Sequence, residues 1–348
     1  MNHAEPKPET QRPRLGFLGL GYIGRKRLEA IVAEDIAEIV AIADPAEELL
    51  GHTAAAVPEA RQLSELSQLL DLDLDGVVIA TPSALHAEQT IAALRKGCAV
   101  FCQKPLGRDA GEVGEIITTA RDADRLLGVD LSYRHVRGLV AIRELIQSGA
   151  LGDIFSAELI FHNAYGPDKP WFYDPRLSGG GCVVDLGIHL VDAALWALNT
   201  SVTGVSSRVL AQGKPLSPDH EVVEDFATAR LDLANGAVAQ LACSWRLHAG
   251  RPAVIEAAFY GTHGGASLCN VGGSYTEFRA DRFIGTNSES LAEPPDEWGG
   301  RAAVAWTRQL AENRRFDPEI ERQIEVATVL DAIYGRASAG PLLEAGRR

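Results

Sequence analysis

The sequence has few of the features that mark secreted, membrane-spanning or nucleic-acid-binding proteins. Five of its 348 residues are cysteines, an odd and scattered set without a CxxC pair. Such cysteines are typical of small buried side chains in a reducing compartment, which predicts a cytoplasmic protein. Because no uncharged apolar run approaches the roughly 18 residues of a transmembrane helix, no membrane span is predicted.

Positive charge is also scarce. Lysine and arginine number 33 against 47 acidic residues, which gives a net charge of −14 and a pI near 5.1. This balance argues against nucleic acid or an anionic membrane surface as a partner. The polar start of the chain, MNHAEPKPETQRPR, is unlike a signal peptide, and residues 1–12 are predicted to form a flexible arm.

A glycine pattern follows the arm. The segment RLGFLGLGYIG runs from an apolar strand pattern into GxGxxG and then into a helical pattern. In a dinucleotide-binding turn the first glycine allows a tight turn, the second lets the backbone approach a pyrophosphate, and the third lets the helix pack on the strand. Unpaired N–H groups at the helix N-terminus attract the phosphates. The residues predicted to contact the cofactor here are Gly19, Gly21, Tyr22, Ile23 and Gly24.

An acidic residue at the end of the next strand pattern indicates which nucleotide binds. The segment AEIVAIAD ends in Asp44, twenty residues after Gly24. A carboxylate at this position accepts hydrogen bonds from the adenosine ribose hydroxyls and repels a 2′-phosphate. The following residues, PAEELL, hold no arginine or lysine that would neutralise such a phosphate. NAD is therefore predicted in preference to NADP.

Strand and helix patterns continue to alternate up to residue 132, which predicts a doubly wound parallel sheet over residues 13–133. Ligands of such sheets bind beside the carboxyl ends of the strands. Pro105 also disfavours the helical region for Lys104 and so keeps it extended at the end of its strand. The residues predicted to line the cofactor site at this edge are Thr81, Pro82, His86, Gln103 and Lys104, with Tyr133 beside them.

From about residue 151 the pattern changes to long alternating runs. It predicts an α+β domain over residues 134–348 with an open, mostly antiparallel sheet. Asn235-Gly236 between two of these runs is a strong hairpin signal. One sheet face would pack on helices and the other on a second subunit, so a homodimer or homotetramer is predicted. A last helix is predicted over about residues 319–338.

The segment GGGCVVDLGIHLVD, residues 179–192, places three ionisable side chains in an apolar helical pattern. Asp185, His189 and Asp192 lie within about 60° of one another around such a helix. Ionisable groups on a buried stripe are costly unless they are paired or functional. The ordinary pKa of histidine, near 6.5, suits His189 to general acid–base catalysis. Asp192, a further turn from the glycines, is interpreted as structural.

Together these segments resemble the Gfo/Idh/MocA family of oxidoreductases. The resemblance rests on the glycine turn with its strand-end acid and on ATPSALHAE, CQKPLG and GGGCVVDLGIHLVDAALWALN. It implies a Rossmann-like domain, an open-sheet domain and a final helix that packs back toward the first domain. It also implies hydride transfer between a nicotinamide cofactor and a sugar, sugar acid, inositol or related polyol. The residues that match the family's catalytic motifs are Lys104, Asp185 and His189, while Gln103 stands where the family often has glutamate.

These residues predict a mechanism. His189 removes the proton of a substrate hydroxyl, Lys104 stabilises the developing alkoxide, and Asp185 fixes the imidazole tautomer or binds a neighbouring hydroxyl. The glycines at 179–181 would let the substrate approach the backbone. The loop AYGPDKPWFYDPRLS offers aromatic rings that suit the C–H faces of a sugar. Further residues predicted to contact the substrate are Tyr133, Arg134, His162, Asn163 and Trp171.

Three alternatives remain open at this point. Asp185, His189 and Asp192, with His162, are ligand types suited to zinc or manganese. No metal is predicted, because the nucleotide motifs require the same site for a nicotinamide. Tightly held NAD that is recycled in a redox-neutral reaction, such as glycoside cleavage or epimerisation, is a second alternative. A non-catalytic NAD-binding sensor is the third.

Overall fold

The computed structural model of the protein describes residues 12–216 and 221–336, so most of the predicted arm and the end of the predicted last helix lie outside it. The first half of the chain forms a six-stranded sheet in the order β3-β2-β1-β4-β5-β6. All of its strand pairs are parallel, which confirms the predicted doubly wound sheet. The strands are β1 (Arg14–Leu18), β2 (Glu38–Ala43), β3 (Arg61–Leu63), β4 (Gly76–Ile79), β5 (Ala99–Cys102) and β6 (Leu127–Val129).

Five helices connect these strands. They are α1 (Tyr22–Ala33), α2 (Glu47–Ala54), α3 (Leu66–Leu70), α4 (His86–Arg95) and α5 (Ala110–Asp122). Every residue of β4 and β5 is buried, as expected for central strands covered on both faces. The sequence patterns did not predict β3, α2 or α3, because elements of 3 to 8 residues span too few periods.

The second half of the chain forms a nine-stranded sheet in the order β15-β14-β13-β12-β7-β11-β10-β8-β9. Its pairs are antiparallel except β7 with β11, which are parallel. The Asn235-Gly236 turn joins the antiparallel pair β10 and β11, as predicted. The strands are β7 (Ile154–Asn163), β8 (Val202–Ala211), β9 (Lys214–Pro215), β10 (Phe226–Leu233), β11 (Val238–Ser244), β12 (Ala253–Gly261), β13 (Gly265–Asn270), β14 (Phe278–Ile284) and β15 (Asn287–Ala292).

Helices cover one face of the second sheet and also return to the first. They are α6 (Arg137–Gln147), α7 (Pro175–Ser178), α8 (Ile188–Leu198), α9 (Arg301–Glu312) and α10 (Arg322–Ile333). Trp306 and Leu310 of α9 join the hydrophobic core of the first sheet together with Phe17 of β1. The Asp331 carboxylate on α10 accepts the N–H of Ala110 at the start of α5. Two helices from the end of the chain therefore complete the first domain.

The stretch Pro175–Leu198 is long and apolar enough to cross a membrane by length and composition. However, 83% of its most apolar window is buried inside the protein. Valine, leucine and alanine side chains of α8 pack on the second sheet and form the centre of its core. The stretch is therefore explained as a core helix.

Candidate active site

The three glycines of the turn at 19–24 have different structural surroundings. Gly19 has a φ of +88°, and a Cβ there would lie 2.6 Å from the main chain of Ala80. A Cβ on Gly24 would lie 2.0 Å from the oxygen of Gly19, so only glycine lets α1 pack this closely. Among the described residues, nothing lies within 4 Å of a Cβ built on Gly21. The turn is closed by packing at its two ends and open at the position predicted to approach a pyrophosphate.

The N-terminus of α1 suits an anionic ligand. Gly21, its N-cap, provides no capping side chain, and the first turn holds no acidic residue. Tyr22 is 70% exposed and Ile23 is 37% exposed beside it. Uncapped N–H groups flanked by exposed apolar side chains fit a ligand that combines phosphates with flat rings. A dinucleotide is such a ligand.

Asp44 is held at the end of β2 by the main chain. Its Oδ2 accepts the N–H of Leu20 at 2.8 Å, and its Oδ1 accepts the N–H of Ala46 at 2.9 Å. The first contact ties the carboxylate directly to the glycine turn. Glu47 and Glu48 in the first turn of α2 add negative charge to the same edge. This edge of the first sheet is therefore acidic.

The environment of His86 differs from the predicted one. Its ring is 1% exposed, and its nitrogens lie 2.7 Å from the main-chain oxygen of Thr81 and 2.6 Å from that of Pro105. Because both nitrogens face main-chain oxygens, neither is left for a ligand. We therefore remove His86 from the predicted cofactor contacts: it joins the loop after β4 to the loop after β5.

Thr81 and Gln103 place polar groups at the carboxyl ends of β4 and β5. The Thr81 hydroxyl donates to Oε1 of Gln89 at 2.6 Å, and Pro82 precedes the short helical turn at Ser83–Leu85. Oε1 of Gln103 accepts the N–H of Lys104 at 2.7 Å. Its amide nitrogen has no hydrogen-bond partner within the described residues and is free to donate to a ligand. Cofactor contacts of Thr81, Pro82 and Gln103 stay predictions.

The glycine triplet at 179–181 is packed against protein atoms. Gly179 ends α7 in the left-handed conformation. A Cβ on Gly180 would lie 2.0 Å from the Tyr334 hydroxyl, and one on Gly181 would lie 2.0 Å from the main-chain oxygen of Glu224. The expectation that substrate approaches these glycines is therefore wrong, because the protein itself fills the space.

Glu224 anchors the triplet and was missed by the sequence analysis. It is fully buried, and its carboxylate accepts the N–H groups of Gly181 and Val183 and the hydroxyl of Tyr334 at 2.7 to 3.0 Å. Burial raises the pKa of Glu224, whereas these donors oppose the rise. Its only signal in the sequence is an acid beside a strand pattern, which is more often a surface residue.

A π-helical turn, Val183–Gly187, leads into α8 and directs Asp185 at Lys104. The Lys104 ammonium donates to Oδ1 of Asp185 at 2.7 Å and to its main-chain oxygen at 2.8 Å. Oδ2 of Asp185 accepts the indole N–H of Trp245 at 3.0 Å. Both carboxylate oxygens are thus engaged, and no bond from Asp185 to His189 is formed among the described residues. Asp185 orients Lys104, with Trp245 as a partner that the sequence analysis missed.

His189 lies on α8 beside an aromatic surface. Its ring centroid is 4.8 Å from that of Tyr133 and 6.2 Å from that of Phe161. Burial lowers the pKa of His189 well below its ordinary value, and the positive charges of Lys104 and Arg27 lower it further. The ring is still half-buried rather than sealed. A neutral imidazole at neutral pH is a competent proton acceptor.

Asp192 pairs with Arg134. The arginine Nε donates to Oδ2 of Asp192 at 2.8 Å and its Nη2 donates to Oδ1, so the pair is bidentate. Asp192 is buried, and this pairing agrees with its structural interpretation. Arg134 was expected at the substrate, but two of its three nitrogens serve the ion pair. Any contact with substrate would use Nη1 and stays a prediction.

The remaining substrate candidates separate into two groups. Phe161 faces His189, so His162, the next residue of β7, points to the opposite face of the sheet. There it stacks on Phe226 and bonds the hydroxyl of Ser244 at 2.8 Å, and its expected place in the substrate site is wrong. Asn163 has a buried amide oxygen without a partner in the described part of the chain. Trp171 stacks on Phe172 with centroids 3.8 Å apart. Substrate contacts of Asn163 and Trp171 stay predictions.

The alternative metal site lacks an assembled ligand set. Within residues 12–216 and 221–336, no group of three His, Cys, Asp or Glu side chains is placed to hold a metal ion. Asp185 and Asp192 each pair with a cationic side chain, and His162 faces away from them. The five cysteines are free thiols.

Known proteins match both halves of the chain. Residues 14–131 match the family described as oxidoreductase family, NAD-binding Rossmann fold, and residues 139–267 match the GFO/IDH/MocA C-terminal domain. D-glucoside 3-dehydrogenase of Escherichia coli is 29% identical over 213 residues, which span 58% of this chain and 61% of that protein. Levoglucosan dehydrogenase of Pseudarthrobacter phenanthrenivorans is 26% identical over 288 residues, 73% of each chain.

A solved structure shares the whole architecture. Levoglucosan dehydrogenase in complex with NADH and levoglucosan matches with a TM-score of 0.79 and 23% identity, over 93% of this chain and 97% of that one. At this identity the likeness shows the fold alone. Both domains of the fold are included in the match.

Proposed function

Because the chain belongs to the Gfo/Idh/MocA family of NAD-binding oxidoreductases, we propose that it transfers a hydride between a sugar or polyol and a nicotinamide nucleotide. The observation that carries the proposal is the ion pair with Asp185 that fixes the Lys104 ammonium beside the helical segment that bears His189. Lys104 is oriented by Asp185, which lies four residues before His189 in the same helical segment. Burial lowers the pKa of His189 well below its ordinary value. Lys104 therefore provides a hydrogen-bond donor for the substrate oxygen, and the imidazole of His189 provides an acceptor for the hydroxyl proton.

The residues present fit a nicotinamide dinucleotide. The open space at Gly21 and the uncapped N-terminus of α1 accommodate a pyrophosphate, and Asp44 would accept ribose hydroxyls. When bound, the nucleotide supplies the hydride acceptor or donor. Gln103 and Thr81 lie at the same sheet edge and would contact the nucleotide through their polar side chains.

Two protein groups act on the substrate hydroxyl. His189 accepts the hydroxyl proton, and the Lys104 ammonium donates a hydrogen bond to the same oxygen as negative charge develops. Asp185 is a positioning residue, because its oxygens contact Lys104 and Trp245. The rings of Tyr133 and Trp171 would pack on the C–H faces of the substrate. The names of the relatives, a glucoside and a levoglucosan dehydrogenase, support sugars as the substrate class.

The proposal is tested by the formation of reduced nicotinamide over a panel of inositols, aldoses, sugar lactones and sugar acids, with NAD and NADP supplied separately. We expect turnover with at least one class of substrate. A cofactor that co-purifies, survives dialysis and shows no net reduction would instead favour a redox-neutral reaction. Binding of NAD without turnover of any substrate would favour a sensor.

Asp44 is expected to set the choice between NAD and NADP. In Asp44→Ser the ratio of kcat/KM with NAD to that with NADP should fall by roughly tenfold, which corresponds to about 1.4 kcal/mol. The reason is the loss of one negative charge and of the ribose acceptor. Asp71→Ser, which removes an exposed acid of the same domain, is the control. A ratio that is equal in the wild type and Asp44→Ser would remove Asp44 from the cofactor site.

We also propose that the chain is a homodimer or homotetramer that covers the open face of the second sheet. Tyr260 on this face is 38% exposed, and it lines a surface cleft with Phe155 and Phe283. Light scattering should give two or four times the chain mass of 37.3 kDa for the wild type, and Tyr260→Glu should reduce this mass. Val271→Glu, in the turn between β13 and β14, is the control. A monomeric wild type would contradict the proposal.

A further inference from the structure

A buried guanidinium joins three distant segments of the chain. Arg27 lies on α1, one turn after the glycine turn, and its side chain is 10% exposed. Its Nε donates to Oδ2 of Asp130 at 2.5 Å, and its Nη2 donates to the Ser132 hydroxyl at 3.0 Å. Its Nη1 donates to the main-chain oxygen of Gly299. All three nitrogens therefore have acceptors, two after β6 and one before α9.

Two of these acceptors are sequence neighbours of aromatic residues. Ser132 precedes Tyr133, and Gly299 follows Trp298. The two rings lie 4.9 Å apart, and Tyr133 lies 4.8 Å from His189. We call this pair of rings the Tyr133–Trp298 wall. Arg27 thus bonds the side chains of Asp130 and Ser132 before Tyr133 and the main chain of Gly299 after Trp298, although it contacts neither ring by a hydrogen bond.

Stability alone is a poor explanation for this arrangement. The free-energy cost of removing an arginine and an aspartate from water offsets most of their mutual attraction, and a protein with an apolar pair of similar size is often as stable. A guanidinium differs from an apolar side chain because its donors point in fixed directions in one plane. It can therefore set the relative positions of three acceptors. The Trp298 indole N–H donates to the main-chain oxygen of Thr276 at 2.8 Å, which ties the ring to the second domain.

We propose that Arg27 is a positioning residue that holds the Tyr133–Trp298 wall against His189 and so sets the space open to the substrate. This inference rests on the proposed function. A polyol packs its C–H groups on aromatic faces. Of the two rings only Tyr133 is partly exposed, and the buried ring of Trp298 supports it. A displaced wall therefore weakens substrate binding more than proton transfer. The effect belongs in KM rather than in kcat.

The first experiment compares Arg27→Met with the charge-balanced Arg27→Met/Asp130→Asn. At alkaline pH, where His189 is unprotonated with or without the charge of Arg27, KM for the polyol should rise by roughly tenfold in both variants, which is about 1.4 kcal/mol, with kcat and the Kd of NAD little changed. The double variant removes the unpaired buried carboxylate and should recover Tm without recovering KM. Recovery of KM together with Tm would show that Arg27 is only structural and overturn the proposal. Arg314→Met, which breaks the ion pair with Asp75, is the control.

A double-mutant cycle tests whether Arg27 acts through the wall. If it does, adding Arg27→Met to Trp298→Ala should raise KM little beyond the effect of Trp298→Ala alone, because the wall is already lost. Effects on log KM that add in full would overturn the proposal.

A third measurement is independent of catalysis. The chain contains five tryptophans, and after labelling with 5-fluorotryptophan the resonance of Trp298 is assigned by its loss in Trp298→Phe. We expect this resonance to move in the charge-balanced double variant and to stay in Arg314→Met. An unmoved resonance would overturn the proposal. If the wild type turns over no polyol, the proposed function fails, and the fluorine spectrum still decides whether Arg27 holds the wall.

Discussion

Replacing His189 with asparagine is expected to lower kcat by roughly 10²- to 10⁴-fold while NAD binds as in the wild type. The half-buried imidazole is neutral beside Lys104 and so accepts the hydroxyl proton, whereas an amide of similar size cannot. The measurement is turnover of the best substrate together with the Kd of NAD.

The matched control is His162→Asn. His162 is also a half-buried imidazole whose pKa burial lowers, but it faces the opposite side of the second sheet. We expect its kcat to stay near that of the wild type. Equal losses of kcat in the two variants would contradict the assignment of His189 as the base.

The same imidazole defines the pH dependence. Burial, then the charges of Lys104 and Arg27, hold the pKa of His189 well below 6.5. A base acts while it is unprotonated, so kcat/KM for alcohol oxidation should be level through neutrality and fall as pH drops through the lowered pKa. Stability also decreases as the pH drops. The unfolded chain binds this proton at a higher pH than the folded one, so the free energy of unfolding decreases as the pH drops below 6.5. An activity loss centred at or above 6.5 would contradict this environment.

Replacing Lys104 with methionine is expected to lower kcat by about 10²- to 10³-fold, the usual effect of removing one donor to a developing oxyanion. The Lys104 side chain is 19% exposed, and its ammonium is directed by two oxygens of Asp185. Methionine keeps most of the side-chain volume. The measurement is kcat, with Tm as a check on the fold.

Two further variants separate the charge of Lys104 from its orientation. Asp185→Asn keeps an oxygen near Lys104 but loses the charge of the pair, and its kcat should lie between those of the wild type and Lys104→Met. Lys96→Met, which removes an exposed lysine of the same domain, should have no effect. If Lys104→Met were as active as Lys96→Met, the alkoxide would be stabilised by another group.

Local constraints explain which parts were predictable from the sequence. The glycine turn and Asp44 require particular backbone conformations at fixed spacing, and Asn235-Gly236 marks a hairpin for the same reason. Short apolar runs that alternate with helical patterns predicted the first sheet, because its strands are covered on both faces. Apolar residues at every second position predicted the second sheet, because only one of its faces packs on helices. Lys104, Asp185 and His189 were identified through motifs, and the structure pairs Lys104 with Asp185.

The amino-acid sequence by itself thus determined the two sheets, the cofactor turn and the identities of the candidate catalytic side chains. Only the tertiary structure decided which partners these side chains have. In the structure Asp185 contacts Lys104 and Trp245, and His162 lies on the opposite face of the second sheet. Glu224 and Arg27 are buried and bond to distant segments of the chain. The physical reason is that these contacts join residues far apart in the chain. Their geometry is set by how helices and sheets pack, which no local pattern contains.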